Sequence, residues 1–172
     1  MTDKKKIIIE CSADEFEETE EKKKTLRALC FSLGGEDYCI EVKEAREVVR
    51  LGEVTNVPNT PAFLVGVMNL RGEIIPIVDI RYFFGLKEME EMGDARVIVV
   101  DTGDFSVGIL VDAINETIQI DESDIQPPLS TIKGEMLEYT RGVVSLNEKI
   151  MVFLNLEKVL GCDEIVNIKG GK

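Results

Sequence analysis

The stretch GVMNLRGEIIPIVDIRYFFG, residues 66–85, decides the fold, because it returns later in the chain without a gap. Its counterpart is GVVSLNEKIMVFLNLEKVLG, residues 142–161, at a constant offset of 76 residues. Glycines match at both ends, and the apolar positions match in between. Each copy has the pattern of a strand, a tight turn, a second strand and a short helix. This self-similarity indicates an internal repeat.

A second match extends the repeat toward the N-terminus. Residues 39–49 align with residues 108–118 at an offset of 69, which sets Glu47 against Glu116. Hairpins resemble one another by chance, but the ungapped run of 20 positions favours a true duplication. The chain is therefore predicted to contain two similar β lobes in tandem.

The remaining sequence consists of short β-rich runs separated by turn residues. Predicted strands cover residues 29–33, 38–42, 65–70, 74–78, 97–100, 107–111, 117–120, 142–146 and 150–154. Helices are expected to be short: residues 80–84 behind an Asp79 cap, 156–160 behind an Asn155 cap, and one turn beginning at Pro61. Many short strands at close spacing predict an all-β fold of the sandwich or barrel type.

The predicted domain covers residues 25–165, with one lobe at about 25–88 and the other at about 95–162. Of residues 1–24, 14 are charged, which predicts a mobile N-terminal tail. Residues 166–172 are predicted to form a C-terminal tail.

The overall charge excludes some partners. Acidic residues outnumber basic ones 33 to 20, for a net charge of −13, whereas binding to nucleic acid or anionic lipid requires an excess of Lys and Arg. No run approaches the roughly 18 apolar residues of a membrane span. We therefore expect a cytoplasmic chain with no nucleic-acid partner and no membrane insertion. Cys30 and Cys39 lie in apolar runs and are expected to be free core thiols.

The residue types that are missing argue against catalysis. The chain has no histidine, which excludes an imidazole base and His-ligated zinc. It has no phosphate-binding glycine loop, so neither a metal nor a cofactor is predicted. Asp101-Thr102-Gly103 after an apolar run resembles the aspartic protease motif, which would require a homodimer. A hairpin turn explains the same residues better.

The repeats differ at one turn, where Arg71 in the first copy corresponds to Asn147 in the second. Arg71 can present its guanidinium to a carboxylate partner, or it can simply be solvated. Glu47 lies in a charged run that either protects a sheet edge or offers it for docking. Residues 107–114 are apolar on both faces, so this strand is either covered by the other lobe or lines a groove.

The sequence resembles a known family at these residues. Residues 59–81, NTPAFLVGVMNLRGEIIPIVDIR, closely resemble the signature stretch of CheW-like domains. Residues 38–42 with Glu47, and residues 107–112, resemble two further strands of that domain. The resemblance implies two five-stranded β-barrel subdomains, packed around a hydrophobic seam, between which strands can cross. It also implies an adaptor without catalytic activity.

CheW proteins couple the helical cytoplasmic tip of chemoreceptors to the regulatory domain of the histidine kinase CheA, and the resemblance implies these two partners. Receptor binding is implied for Asn69 and Arg71, and for a groove strand. The groove positions are Val107, Gly108, Val111 and Ile114. Receptor or kinase binding is implied for Ala45, Glu47 and Gly66. An alternative within the same class is a scaffold module of the CheV or CheA-regulatory type.

Overall fold

The structure is a computed structural model, and it describes residues 24–86, 93–128 and 135–161. Except for Lys24, the predicted N-terminal tail lies outside the described residues, as does the predicted C-terminal tail. The strands are β1 (Thr25–Leu33), β2 (Glu36–Glu41), β3 (Glu47–Arg50), β4 (Val54–Thr55), β5 (Leu64–Leu70), β6 (Glu73–Val78), β7 (Arg96–Asp101), β8 (Ser106–Val111), β9 (Ala113–Asp121), β10 (Thr140–Leu146) and β11 (Lys149–Leu154).

These strands form two sheets. Sheet A has the order β10-β11-β2-β1-β9, and sheet B has the order β3-β7-β8-β6-β5-β4. Neighbouring strands are antiparallel except for two parallel pairs, β11 with β2 and β6 with β8. The predicted all-β class with two subdomains is confirmed. In the described ranges no pairing joins the two outer strands of either sheet, so the sheets are open by strand pairing, and sheet B has six strands rather than five.

The two sheets exchange strands between the sequence repeats. Sheet A combines the hairpin β1–β2 from the first repeat with β9, β10 and β11 from the second, whereas sheet B combines β7–β8 from the second with β3 to β6 from the first. In sheet A, Phe153 pairs with Cys39; in sheet B, Ile77 pairs with Gly108. These pairs are related by the offsets of 76 and 69, so the structure confirms both alignments. Sheet membership therefore does not follow the division at about 25–88 and 95–162.

Buried residues form three clusters. Cys30, Cys39 and Phe153 belong to a core within sheet A, while Val97 and Leu110 belong to a core within sheet B. The third and largest cluster is a seam that both sheets share. Because side chains alternate between the two faces of a strand, each sheet can contribute one face to its own core and the other to the seam. The two cysteines are buried and free, as predicted.

The β8 strand shows this division, because all six of its residues are buried. Val107, Ile109 and Val111 face the seam, and Leu110 faces the core of sheet B. Of the two interpretations of this apolar strand, coverage by the other sheet is the one found.

Among the described residues, three short α-helices accompany the sheets, α1 (Arg81–Phe84), α2 (Glu135–Tyr139) and α3 (Leu156–Leu160), together with 3-10 helical turns at Val42–Glu44 and Glu122–Asp124. An Asp79 carboxylate oxygen accepts a hydrogen bond from the Arg81 N–H at 3.0 Å, and Asn155 caps α3 through the Lys158 N–H at 3.2 Å. The predicted Asn155 cap is thus confirmed, whereas the N-cap position of α1 is Ile80, which makes no side-chain hydrogen bond, and Asp79 lies one residue before it. No helix in the part of the chain that the structure describes has the length and apolar character needed to cross a membrane.

The predicted helical turn at Pro61 is wrong. The Leu64 N–H donates to the Pro61 carbonyl at 3.1 Å, which closes a single tight turn, and Leu64 is already the first residue of β5. From Leu64 onward the residues are extended and pair with β6, so they cannot form a helical turn. Proline fixes its own φ but does not decide between a helix and a turn.

Arg81 ties the ends of both sheets together through a buried ion network. Its side chain is only 2% exposed. One guanidinium nitrogen contacts Asp79 at 3.0 Å, and another contacts Asp112 at the end of β8. The second oxygen of Asp112 accepts from the Gly34 N–H, in the β1–β2 turn, at 3.1 Å. Arg81 therefore links α1, sheet B and sheet A.

Candidate docking site at one end of sheet B

The turn between β5 and β6 presents Arg71 at its tip. Leu70 pairs with Glu73 across the turn, and φ is 52° at Arg71 and 92° at Gly72. Positive φ at both central residues defines a type I′ turn, which matches the twist of a hairpin. The Asn69 side-chain oxygen accepts a hydrogen bond from the Gly72 N–H at 2.8 Å. The predicted residue Asn69 therefore holds the turn that carries Arg71.

The matching turn of the second repeat has the same geometry. Leu146 pairs with Lys149, and φ is 52° at Asn147 and 68° at Glu148. Asparagine tolerates the left-handed region, whereas arginine there is uncommon. A residue held in an unfavourable backbone region is a pointer to function. Arg71 is therefore a stronger candidate for binding than for a merely solvated turn.

Arg71 and Glu47 form an ion pair. One guanidinium nitrogen of Arg71 lies 2.6 Å and 2.5 Å from the two carboxylate oxygens of Glu47. The Arg71 side chain nevertheless remains 65% exposed. Two of the residues singled out from the sequence thus meet at one place, and the arginine keeps a broad surface for a partner.

The ion pair belongs to a larger set of polar side chains that we call the charged ring. Its members are Arg46, Glu47, Arg71, Glu73, Asp101 and Ser106. Glu47, Asp101, Ser106 and Glu73 lie at the adjacent ends of β3, β7, β8 and β6. Side chains of a strand alternate between the two faces of the sheet. These four residues therefore lie on the same face as Val49, Val97, Leu110 and Ile75, which belong to or pack against the core of sheet B. The charged ring therefore closes one end of that core.

Arg46 is the hub of the charged ring, and the sequence analysis did not single it out. Its guanidinium contacts Glu73 at 3.1 Å, Asp101 at 3.5 Å and Glu47 at 3.7 Å. It also donates to the Ser106 hydroxyl at 2.8 Å, which in turn donates to Asp101 at 2.5 Å. The hydrogen bond to Glu73 and the nearby carboxylates raise the pKa of Arg46 above its ordinary value.

Sheet A carries an equivalent set, which we call the counterpart ring. The two sequence offsets give each position of the charged ring an equivalent in sheet A. Taken in the order Arg46, Glu47, Arg71, Glu73, Asp101 and Ser106, the equivalents are Asn115, Glu116, Asn147, Lys149, Ser32 and Asp37. Here the Ser32 hydroxyl donates to the Asn115 oxygen at 3.3 Å, and the Asn115 amide donates to Asp37 at 3.3 Å. Lys149 contacts Asp37 at 3.4 Å. The same end of the fold is therefore closed here without either arginine.

The predicted site residues of β8 and β9 are buried or half-buried. Val107 and Val111 are fully buried in the seam. Gly108 is buried between Val97 and Ile77, whose side-chain carbons would lie 2.6 Å and 2.7 Å from an added Cβ. Ile114 is half-buried at the edge of the seam. Receptor contact by this strand stays a prediction, and its buried residues would act by shaping the seam rather than by touching a partner.

Gly66 and Ala45 have local structural roles. Gly66 lies at a bulge in the pairing of β5 with β6, and an added Cβ would lie 2.5 Å from the Thr55 carbonyl oxygen of β4. Gly142, at the matching bulge, would meet the Gln126 carbonyl at 2.4 Å. Ala45 is half-buried against the seam, and its N–H donates to the Val42 carbonyl at 3.0 Å. Binding by Gly66 or Ala45 stays a prediction.

The Asp101-Thr102-Gly103 motif is a hairpin turn. It connects β7 to β8, whose last matched pair is Asp101 with Ser106, and the Thr102 hydroxyl donates to the Phe105 carbonyl at 2.9 Å. The Asp101 carboxylate is engaged by Ser106 and Arg46. A protease dyad instead requires two carboxylates that share a proton.

A charged cleft runs from the charged ring toward α3. Its lining includes Glu41, Glu44, Arg46, Asp101 and Glu157. Burial raises the pKa of Glu44 above its ordinary value. The described residues include no group of side chains arranged to hold a metal ion. A lining of mixed charge suits contacts with a polar protein surface rather than an apolar ligand.

Comparison with known proteins agrees with this arrangement. The CheW-like domain model matches residues 27–164. The Klebsiella aerogenes chemotaxis protein CheW is 34% identical over 137 residues, which cover 80% of this chain and 82% of that protein. The Helicobacter pylori chemotaxis protein CheW is 33% identical over 144 residues, which cover 84% of this chain and 87% of that protein.

A solved structure shares the fold. The crystal structure of the scaffolding protein TtCheW from Thermoanaerobacter tengcongensis superposes with a TM-score of 0.72 at 30% sequence identity. The superposition covers 82% of this chain and 91% of that one. With the repeat, the exchanged sheets and the Asn69–Gly72 turn in place, these matches show that the chain belongs to the CheW-like domain family.

Proposed function

We propose that this chain is a cytoplasmic chemotaxis coupling protein, which bridges the helical tip of chemoreceptors and the regulatory domain of CheA without catalysing a reaction. The chemotaxis and scaffolding names of its relatives support this role. The observation that carries the proposal is Arg71, held in a left-handed turn and 65% exposed at the end of a closed core.

The receptor would dock at Arg71. A guanidinium on a rigid hairpin can form paired hydrogen bonds with a carboxylate on a helix surface. Ile74, which pairs with Asn69 beside the turn, is 59% exposed and offers apolar contact next to the charge. An apolar contact flanked by an orienting arginine suits docking of an amphipathic helix.

The kinase would dock at the edge of sheet B. Among the described strands, β3 pairs with β7 alone, and its Val48 is 38% exposed. An exposed strand edge can accept the edge of a second sheet, and the regulatory domain of CheA is itself CheW-like. The charged residues beside Val48 would select the register of that contact.

Co-purification with a receptor-tip fragment and the CheA regulatory domain tests the two docking sites separately. Arg71→Asn is expected to weaken receptor binding and leave kinase binding intact, and Val48→Lys is expected to do the reverse. Thr117→Lys, at the matching position of β9, is the control for an added lysine on a strand. If the unmodified chain binds neither partner, the proposal fails.

A further inference from the structure

We infer that Arg46 is a positioning residue, which sets the orientation of Arg71 and thereby its specificity for an acidic partner. This inference rests on the proposed function, because it concerns the same docking surface. It starts from the contacts of Arg46, which touches Glu47, Glu73 and Asp101 at once. Arg71 itself contacts only Glu47 among the carboxylates of the charged ring whose pairs are described.

Charge balance gives the first reason. The charged ring contains three carboxylates and two guanidinium groups. Without Arg46, Arg71 alone would face all three carboxylates, and Glu73 and Asp101 would lose their nearest cation. The surplus negative charge would pull Arg71 toward the ring and repel an acidic group on a partner. Arg46 therefore leaves Arg71 with a single carboxylate and a large exposed surface.

The counterpart ring gives the second, independent reason. Its Asn115 takes the place of Arg46 and still makes hydrogen bonds to Ser32 and Asp37. Its Asn147 takes the place of Arg71 with the same φ. Sheet A closes this end with two asparagines and with Lys149, which pairs with Asp37, so closure does not require arginine at either position. The two arginines occur together at one end only, which indicates that they serve one binding surface.

The test is a double-mutant cycle on binding of the receptor-tip fragment, measured by calorimetry over a range of salt concentrations. The variants are Arg46→Asn, Arg71→Asn and the double variant, with Asn115→Ala as the matched control in sheet A. Arg46→Asn introduces the residue that the counterpart ring has at this position, and its melting temperature is measured beside binding, so that a loss of stability is distinguished from a loss of binding. Arg46→Lys keeps the positive charge but lacks the planar guanidinium group, so its receptor binding should lie between that of Arg46→Asn and that of the unmodified chain.

We expect Arg46→Asn to weaken binding about fivefold, Arg71→Asn about tenfold, and the double variant no more than Arg71→Asn alone, because coupled residues are not additive. In NMR spectra, the resonance of the Arg71 guanidinium group should shift in Arg46→Asn and stay in place in Asn115→Ala. Unchanged binding in Arg46→Asn, or fully additive losses, would overturn the inference and leave the proposed function standing. If Arg71→Asn itself binds normally, both fail.

Discussion

Arg71 and Asn147 occupy the same position in two matching hairpins and share a φ of 52°. The backbone therefore demands the left-handed region at both places, and only the second copy has a residue that adopts it readily. Arginine at this position costs stability on the order of 1 kcal/mol. The β5–β6 turn, which we assign to docking, thus carries arginine, a residue that is less suited than asparagine to this backbone conformation.

Replacing Arg71 should therefore separate stability from binding. Arg71→Asn is expected to leave the free energy of unfolding unchanged or to raise it by up to about 1 kcal/mol, because the strain is relieved, while receptor binding falls. Denaturant unfolding beside a binding titration measures both quantities. A clear loss of stability in Arg71→Asn would show that the Glu47 ion pair matters more to the fold than the backbone strain does.

Gly66 and Gly142 should be equally intolerant of a side chain. An added Cβ would lie 2.5 Å from a carbonyl oxygen at Gly66 and 2.4 Å at Gly142. Since both oxygens belong to backbone, each glycine-to-alanine variant should lose about 1–3 kcal/mol in denaturant unfolding. Gly93→Ala, where an added Cβ meets nothing within 4 Å, serves as the control. Equal stability of Gly66→Ala and Gly93→Ala would contradict the close approach of β4.

Arg81 should be among the most sensitive positions of the chain. Arg81→Met keeps much of the side-chain volume but leaves Asp79 and Asp112 without their shared cation. Breaking a buried ion pair from one side costs about 3–5 kcal/mol, so we expect a large fall in the free energy of unfolding. Arg50→Met, at an exposed position, is the matched control and should change little. Similar stabilities of the two variants would show that the network is dispensable.

Tyr38 should make stability fall in alkaline solution. Burial, with a smaller contribution from Glu36, raises the pKa of Tyr38 to about 12, above its ordinary value near 10. The unfolded chain therefore loses this proton first as the pH rises. The contribution of Tyr38 to stability is complete below about pH 10 and is lost between about pH 10 and 12, by about 2–3 kcal/mol in total.

Unfolding measured across this pH range, in the unmodified chain and in Tyr38→Phe, isolates the effect. Tyr38→Phe should show a shallower loss of stability above pH 10, and its phenolate absorbance should lack the component that titrates near pH 12. Tyr82→Phe removes the hydroxyl group of an exposed tyrosine and should keep the steep loss. Identical pH profiles for all three proteins would contradict the burial of the Tyr38 hydroxyl.

Local features of the fold could be predicted from the sequence because they depend on neighbouring residues. The hairpin at Arg71, the cap at Asn155 and nine of the described strands follow from residues within a few positions of each other, whereas β3 and β4 were not predicted. The repeat offsets also identified Glu47 with Glu116, and the strand pairings confirm that equivalence: Glu47 pairs with Val99, and Glu116 pairs with Cys30.

Two features could not be predicted for the same physical reason. An alignment of repeats shows which residues are equivalent, but it does not show which strand pairs with which, so the exchange of hairpins between sheets stayed open. Arg46 was missed because its partners Glu73 and Asp101 are remote in sequence. The offset of 69, which sets Arg46 against Asn115, was the signal that could have drawn attention to it.

The exchange of hairpins sets an order of events during synthesis on the ribosome. Sheet B is continuous in the chain, from β3 to β8, and can assemble as soon as Val111 has emerged. The β1–β2 hairpin emerges earlier but must wait for β9, β10 and β11, the first of which begins about 70 residues later. At about 5–20 residues per second this delay lasts several seconds. The nascent chain would expose the apolar faces and the unpaired outer edges of this hairpin throughout that interval, which makes β1 and β2 the segment on which a chaperone would act.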